Sequence, residues 1–288
     1  MGVADKHIFV DDRLESYGGY LPEEWAWGVS KAAACSPVLD EFVLDLVLDW
    51  RTTSYTAAMP AIAVRAVQQS LVGYAGCKVP ERGVRGLAAE MLRRLARRVP
   101  ELTKNRGLRS RTRQAVEGIA AEVSWQTAGI ETEVPIDPLW KGFLDAPAFK
   151  MSLWSSQRVA FVAFYNAYES FLIRCLKHAL AVDRLRTSDK EFKAALKSAV
   201  GADLTDVCWA GADLNLARTV RHALSHNGGR ETEDLKRLGR HGFVILGGVL
   251  QIVPEDNHKL VGRLRRAADA ITVAASRHEA FSPSPHSA

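Results

Sequence analysis

Ala212-Asp-Leu-Asn-Leu-Ala-Arg218-Thr-Val-Arg221-His222-Ala-Leu-Ser225-His226-Asn227-Gly228-Gly229 reads as one amphipathic helix followed by its own stop. At about 100° per residue, Leu216, Val220, Ala223 and Leu224 share one side of the wheel, while Arg218, Arg221, His222 and Ser225 crowd the other. His226 sits at the edge of that polar face. Asn227-Gly228-Gly229 supplies residues that tolerate the left-handed conformation in which helices end. The five steps from Arg221 to His226 turn the helix by about 140°, so the two side chains flank the polar face. Their convergence needs a loosened last turn or a second subunit.

Working outward, nearly every long segment carries the helical period. In 38–50, Phe42, Leu46 and Trp50 recur every fourth residue beside an acidic ridge of Glu41, Asp45 and Asp49. Segments 55–74 and 110–125 are expected to be helical as well. Between them Val84, Leu87, Ala88, Met91, Leu92 and Leu95 form a second stripe backed by Arg93, Arg94, Arg97 and Arg98, and Pro100 ends it. Gly129, Pro135, Asp137-Pro138 and Pro147 then punctuate the chain. Beyond them, Ser155-Ser156 offers a cap for a helix over 157–180 with Phe161, Phe164, Tyr165, Tyr168, Phe171, Leu172 and Cys175 on its core face. Ser188 and Glu191 have capping-box spacing. The period changes only in 243–253, where Phe243-Val-Ile-Leu, Gly247-Gly248 and Val249-Leu-Gln-Ile-Val253 read as a β-hairpin with a two-residue turn. Pro254 closes it before a last helix with Leu260, Leu264, Ala267, Ile271 and Ala275 inward.

The expected fold is therefore all-α, a helical bundle with a short β-hairpin before the last helix. The punctuation divides it into an N-terminal helical module, 1–147, of unassigned role, a second helical domain, 148–280, and a disordered tail, 281–288.

Composition fits this reading: 288 residues, 47% hydrophobic and 25% charged, have ample material for packed cores. The longest candidate for a membrane span, Phe243–Val253, is 11 residues with two glycines, short of the roughly 18 that a span needs. No basic-then-apolar leader opens the chain, and the sixth residue of the Met1-Gly2 start is Lys6 where myristoylation wants Ser or Thr. Cys35, Cys77, Cys175 and Cys208 are scattered, as buried thiols in a reducing compartment are. A cytoplasmic protein without a membrane span is expected. The net charge of +5 conceals two opposed fields, −7 over residues 1–50 and +9 over residues 82–113. The arginine-rich stretch suits RNA phosphates, or pairs with the acidic ridge. It lacks the interleaved aromatics of a base-stacking platform.

The chemistry available to the Arg/His stretch is phosphodiester cleavage in RNA. An imidazole that titrates near neutral pH can pass protons between the attacking 2′-hydroxyl and the leaving oxygen. A permanently charged guanidinium can hold the phosphate while negative charge grows on it. His222 and His226 are also an i, i+4 pair that could grip a metal, but the Glu of a zincin helix and a third ligand are missing. Read singly, Arg221 is a surface arginine and His226 a helix cap. Walker, Rossmann and nucleophile-elbow patterns are absent.

Arg221-His222-Ala-Leu-Ser-His226, followed by Asn227-Gly228, resembles the Arg-x4–6-His signature of HEPN domains, and the context over residues 150–278 agrees: a long helix bearing Glu169, the motif helix, a hairpin and a final helix. The resemblance implies a dimerising helical bundle with two motifs facing one cleft, and a metal-independent endoribonuclease of the kind found in toxin, antiphage and RNA-processing systems. Arg221 and His226 would be the catalytic pair with His222 beside them. Arg218 and Asn227 would contact substrate, and Glu169 would be a supporting acid. It implies RNA as substrate, a homodimer, no cofactor, and an antitoxin or regulatory protein as a candidate partner. HEPN domains without nuclease activity imply the alternative of a non-catalytic module that binds nucleic acid or a protein partner.

Overall fold

The computed structural model describes residues 19–73, 78–80, 84–122, 131–133, 136–185, 190–239 and 242–282. The chain is all-α, with an antiparallel hairpin immediately before the last long helix. The described residues divide into two compact units. One is Val67–Phe143. The other joins the chain up to Ala66 with everything from Leu144 onward, and so differs from a division at residue 147 into consecutive halves.

The smaller unit holds α3 (Val84–Arg98), α4 (Glu101–Lys104) and α5 (Arg106–Glu122), with strands β1 (Lys78–Pro80) and β2 (Glu131–Glu133) pairing antiparallel. Helix α3 packs against α5, and Leu102 and Val116 are buried. The punctuated stretch before Pro147 was expected to be irregular, yet it contains α6 (Ile136–Asp145). Pro138 is compatible with that helix because it lies in the first turn, where an amide has no intrahelical partner.

The larger unit is organised on α7 (Pro147–Leu180), 34 residues and about 50 Å long. It starts ten residues before the expected position, at a proline that is pre-set for the first turn. Ser156 lies inside it and donates to the Leu153 carbonyl. By length and apolar composition α7 could cross a membrane, but 61% of its most apolar window is buried against protein. The final helix α12 (Pro254–Ala275) packs along it, with Leu260, Leu264 and Ile271 inward. The short α1 (Glu23–Ala33) leans on α12, with the Trp25 indole N–H donating to Asp269 at 2.8 Å.

Helix α2 (Pro37–Gly73) merges two segments expected to be separate and carries Pro60 inside it. Its first part supplies Leu39, Val43, Leu46 and Trp50 to the same core as α7. Trp50 stacks on Trp25, and its Nε1 donates to the Phe164 carbonyl at 3.0 Å. The acidic ridge is used here: Glu41 and Asp45 both pair with Arg174 of α7.

Between α7 and α12 lie α8 (Lys190–Val200), α9 (Ala202–Thr205), a single π-turn (Asp206–Ala210), α10 (Ala212–His226) and α11 (Glu233–Arg237). The hairpin is β3 (Val244–Leu246) with β4 (Val249–Gln251). Gly247 and Gly248 take φ of 57° and 76° in its turn, the sign that a two-residue type I′ connection requires and only glycine adopts without strain. Ser188, Cys77 and residues 283–288 lie outside the described residues. The tail expectation fails at its start, because Phe281 is buried in a 3₁₀ turn. Cys175 and Cys208 are buried and Cys35 is exposed. Burial pushes the Cys208 thiol up to about 12.

One polar cluster crosses this apolar interior. Gln157 of α7 is buried and accepts from the Tyr20 hydroxyl (2.6 Å) and from the Asn257 amide of α12 (2.8 Å), and it donates to the Ala57 carbonyl of α2 (3.3 Å).

Trp50→Ala should cost about 3–5 kcal/mol in urea unfolding, and a fragment beginning at Leu144 should show no cooperative transition, because residues before Ala66 fill its core. Burial raises the Asp269 carboxyl above its ordinary range. The folded state thus holds its proton more tightly than the unfolded chain, and that contribution is lost as pH rises through the carboxylate range. Asp269→Asn should accordingly gain in melting temperature relative to the parent between about pH 4 and pH 7.

Candidate functional site

Helix α10 occupies the span the sequence indicates. Its buried face is Leu214, Ala217, Val220, Ala223 and Leu224, so Leu216, expected inside, is only half-buried. The helix ends as its glycines suggest. Gly228 and Gly229 have φ of 61° and 80°, and the Gly229 amide donates to the Ala223 carbonyl at 2.9 Å. The Gly229 carbonyl then accepts from the Leu250 amide, which ties the stop to the hairpin. A side chain at Gly229 would collide with the Arg158 guanidinium, which donates to the Gly228 carbonyl at 2.7 Å.

Arg221 is the best-anchored of the six candidates. Its Nε donates to Asn166 Oδ1 at 2.7 Å and its Nη2 to Glu169 Oε2 at 2.8 Å, both on α7. The Arg221 and Glu169 side chains are 23% and 12% exposed, so the pair is partly desolvated but reaches the surface. Nη1 makes no bond among the described residues. The guanidinium also lies 6.0 Å from the centre of the Tyr165 ring. Tyr165 is buried, and that burial drives its hydroxyl well above the ordinary tyrosine range, against the lowering influence of Arg218 and Arg221.

His222 and His226 are both exposed, with ring centres 4.7 Å apart. Ser225 and Asn227 are exposed beside them. Asn227 acts through its backbone, donating to the Ala223 carbonyl and accepting from the Arg230 amide. Arg218 is used differently from expectation. Its guanidinium stacks 4.4 Å over Trp209, and its nitrogens donate to Asn215 Oδ1 (2.7 Å) and the Trp209 carbonyl (3.4 Å). The sequence brings it to the polar face, but the π-turn before α10 carries Trp209 to it.

Asn166 was not singled out from the sequence. The available signal was its position, three residues before Glu169 on a helix whose core face is aromatic; residues three apart share a helix face. A shallow groove of about 430 Å³ begins at Asn166 and Ser225 and runs along α7, past Val162 to exposed Val159. Among the described residues, no three His, Cys, Asp or Glu side chains are placed to hold a metal ion.

Compared with models of protein families, with curated proteins and with solved structures, the chain has no match in any of the three.

The class defined by fold and site is thus a helical bundle presenting a braced arginine and two adjacent, mutually tilted imidazoles at the surface end of one helix. Removing the arginine would leave Glu169 without its counter-charge. Arg221→Ala should therefore destabilise by about 1–3 kcal/mol, less than a fully buried pair because both side chains reach solvent. The double variant with Glu169→Ala should recover part of that loss. A double-mutant cycle in denaturant measures the coupling, and strictly additive effects would contradict the pairing.

Proposed function

We propose that the chain is a metal-independent endoribonuclease of the HEPN type, a cytoplasmic homodimer acting as a toxin or antiphage effector under the control of an antitoxin or regulatory protein. The observation that carries this reading is the bracing of Arg221 by Asn166 and Glu169 beside the exposed His222/His226 pair. A guanidinium fixed through Nε and Nη2 is pre-organised, and Nη1 remains to hold a phosphate oxygen as charge develops on it. His226 removes the proton from the 2′-hydroxyl or returns one to the 5′-oxygen. His222, one turn away on the exposed side, takes the complementary step or orients the phosphate. Bond formation between the 2′-oxygen and phosphorus expels the 5′-oxygen, leaving 2′,3′-cyclic phosphate and 5′-hydroxyl ends. Asn227 offers its exposed amide to the RNA. Arg218, tied to Trp209 and Asn215, positions the helix and contacts RNA only through what remains of its fork. The groove along α7 is where a second copy would bring its own motif.

A second reading is favoured by the same ion pair. Arg221 satisfied by Glu169 is also what a structural brace looks like, and the chain would then be a non-catalytic helical module that binds nucleic acid or a partner protein.

Purified protein should cut single-stranded RNA in the presence of a chelator, with cyclic phosphate at the new 3′ ends. Arg221→Ala and His226→Ala should each slow cutting by about 100-fold or more and relieve growth inhibition when expressed in bacteria. Loss of cutting on chelation overturns the metal-free mechanism. Variants that cut and inhibit growth like the parent hand the case to the second reading.

A further inference from the structure

We propose that the arginine-lined cleft between α3 and α5 holds the phosphate backbone of RNA without regard to base sequence. Arg93 and Arg97 stand one turn apart on α3, and Arg109 and Arg113 one turn apart on α5. All four are exposed and line a single cleft of about 550 Å³ with Leu92 and Leu102 among its apolar residues. Like charges at i, i+4 repel along a helix, and here two such pairs border one cavity. Among the described residues the one acidic side chain in the lining, Glu117, is engaged by Arg113 at 2.9 Å. The acidic ridge that the sequence offers as a partner is also engaged, with Glu41 and Asp45 on Arg174. Arg97 and Arg109 make no ion pair among the described residues. Across 84–122 ten basic residues face four acidic ones, so the field around the cleft is strongly positive.

The occupant is identified by spacing and by what the cleft lacks. Arginines one turn apart are about 6 Å apart along the helix axis, close to one sugar–phosphate step, and each presents a fork matched to phosphate oxygens. A repeating phosphate chain satisfies rows of this kind more regularly than the variable side chains of an acidic peptide do. Among the described residues no aromatic ring lines the cleft, and without a stacking platform bases go unread. This site deepens the endoribonuclease reading by giving the substrate a grip made of side chains other than Arg221 and the histidines, but its binding can be measured without any cleavage.

The test uses the full chain carrying His226→Ala, a labelled unstructured 20-nucleotide RNA, and a salt series. Arg97→Glu with Arg109→Glu should weaken binding about 10-fold or more at about 0.1 M salt and lower the slope of log affinity against log salt by about 1.4, about 0.7 for each lost contact. Arg97→Lys with Arg109→Lys should keep the slope, because the charge is retained. If charge reversal disturbs folding by circular dichroism, Arg97→Gln with Arg109→Gln replaces it and should lower the slope equally. Unchanged affinity and slope in the charge-removed proteins overturns the proposal, as does displacement of RNA by poly-glutamate at equal charge. With His226 intact, charge reversal should raise KM for long RNA and leave turnover of a dinucleotide unaltered. A parent that binds RNA through the cleft but cleaves nothing would end the endoribonuclease reading alone.

Discussion

Gln157 is an amide in an apolar interior, and everything built on α7 depends on its being satisfied. Its bonds reach Tyr20, the Ala57 carbonyl of α2 and Asn257 of α12, three segments distant in sequence. An unpaired buried polar group costs about 1–3 kcal/mol, whereas apolar contacts are nearly indifferent to a small slide. The network therefore sets the register of α7. Asn166 and Glu169 lie nine and twelve residues further along the same rigid helix, so fixing Gln157 also fixes the acceptors that receive Arg221.

Seen this way, the arginine is held by the same helix that organises the core. Its environment is intermediate between two limits. In full solvent the Glu169 pair would contribute little, and fully buried it would scarcely offset its own desolvation. At the rim of the core the pair orients the guanidinium and leaves one nitrogen to solvent. The imidazoles are placed differently, by the helix stop: Gly228 and Gly229 end α10 and tie it to β4 through the Leu250 amide, while His222 and His226 remain on the exposed side of its last turns.

Much of the architecture was legible in the sequence. The span of α10, the Gly-Gly hairpin turn and the stripe of α12 follow from periodicity and turn chemistry, which are local. The local pattern starts α7 at Ser155-Ser156 because that pair imitates a cap, whereas the helix already opens at Pro147. A helical wheel puts Leu216 inside because it gives faces without neighbours, and the structure leaves it half-buried. The merger of two segments into α2, despite Pro60, is likewise decided by packing rather than by propensity.

The sequence by itself determined that the chain is helical, where its motif helix ends, and that Arg221, His222 and His226 occupy one end of that helix. Those features arise from residues within a turn or two of each other. Only the tertiary structure decided what Arg221 does, since Asn166 and Glu169 are more than fifty residues away. The same is true of Arg218, taken up by Trp209, and of the acidic ridge, which closes on Arg174. The residues before Ala66 join the C-terminal core for a related reason: burying the apolar face of a long helix requires partners from wherever the chain can supply them, and periodicity records that a face must be covered without recording by what.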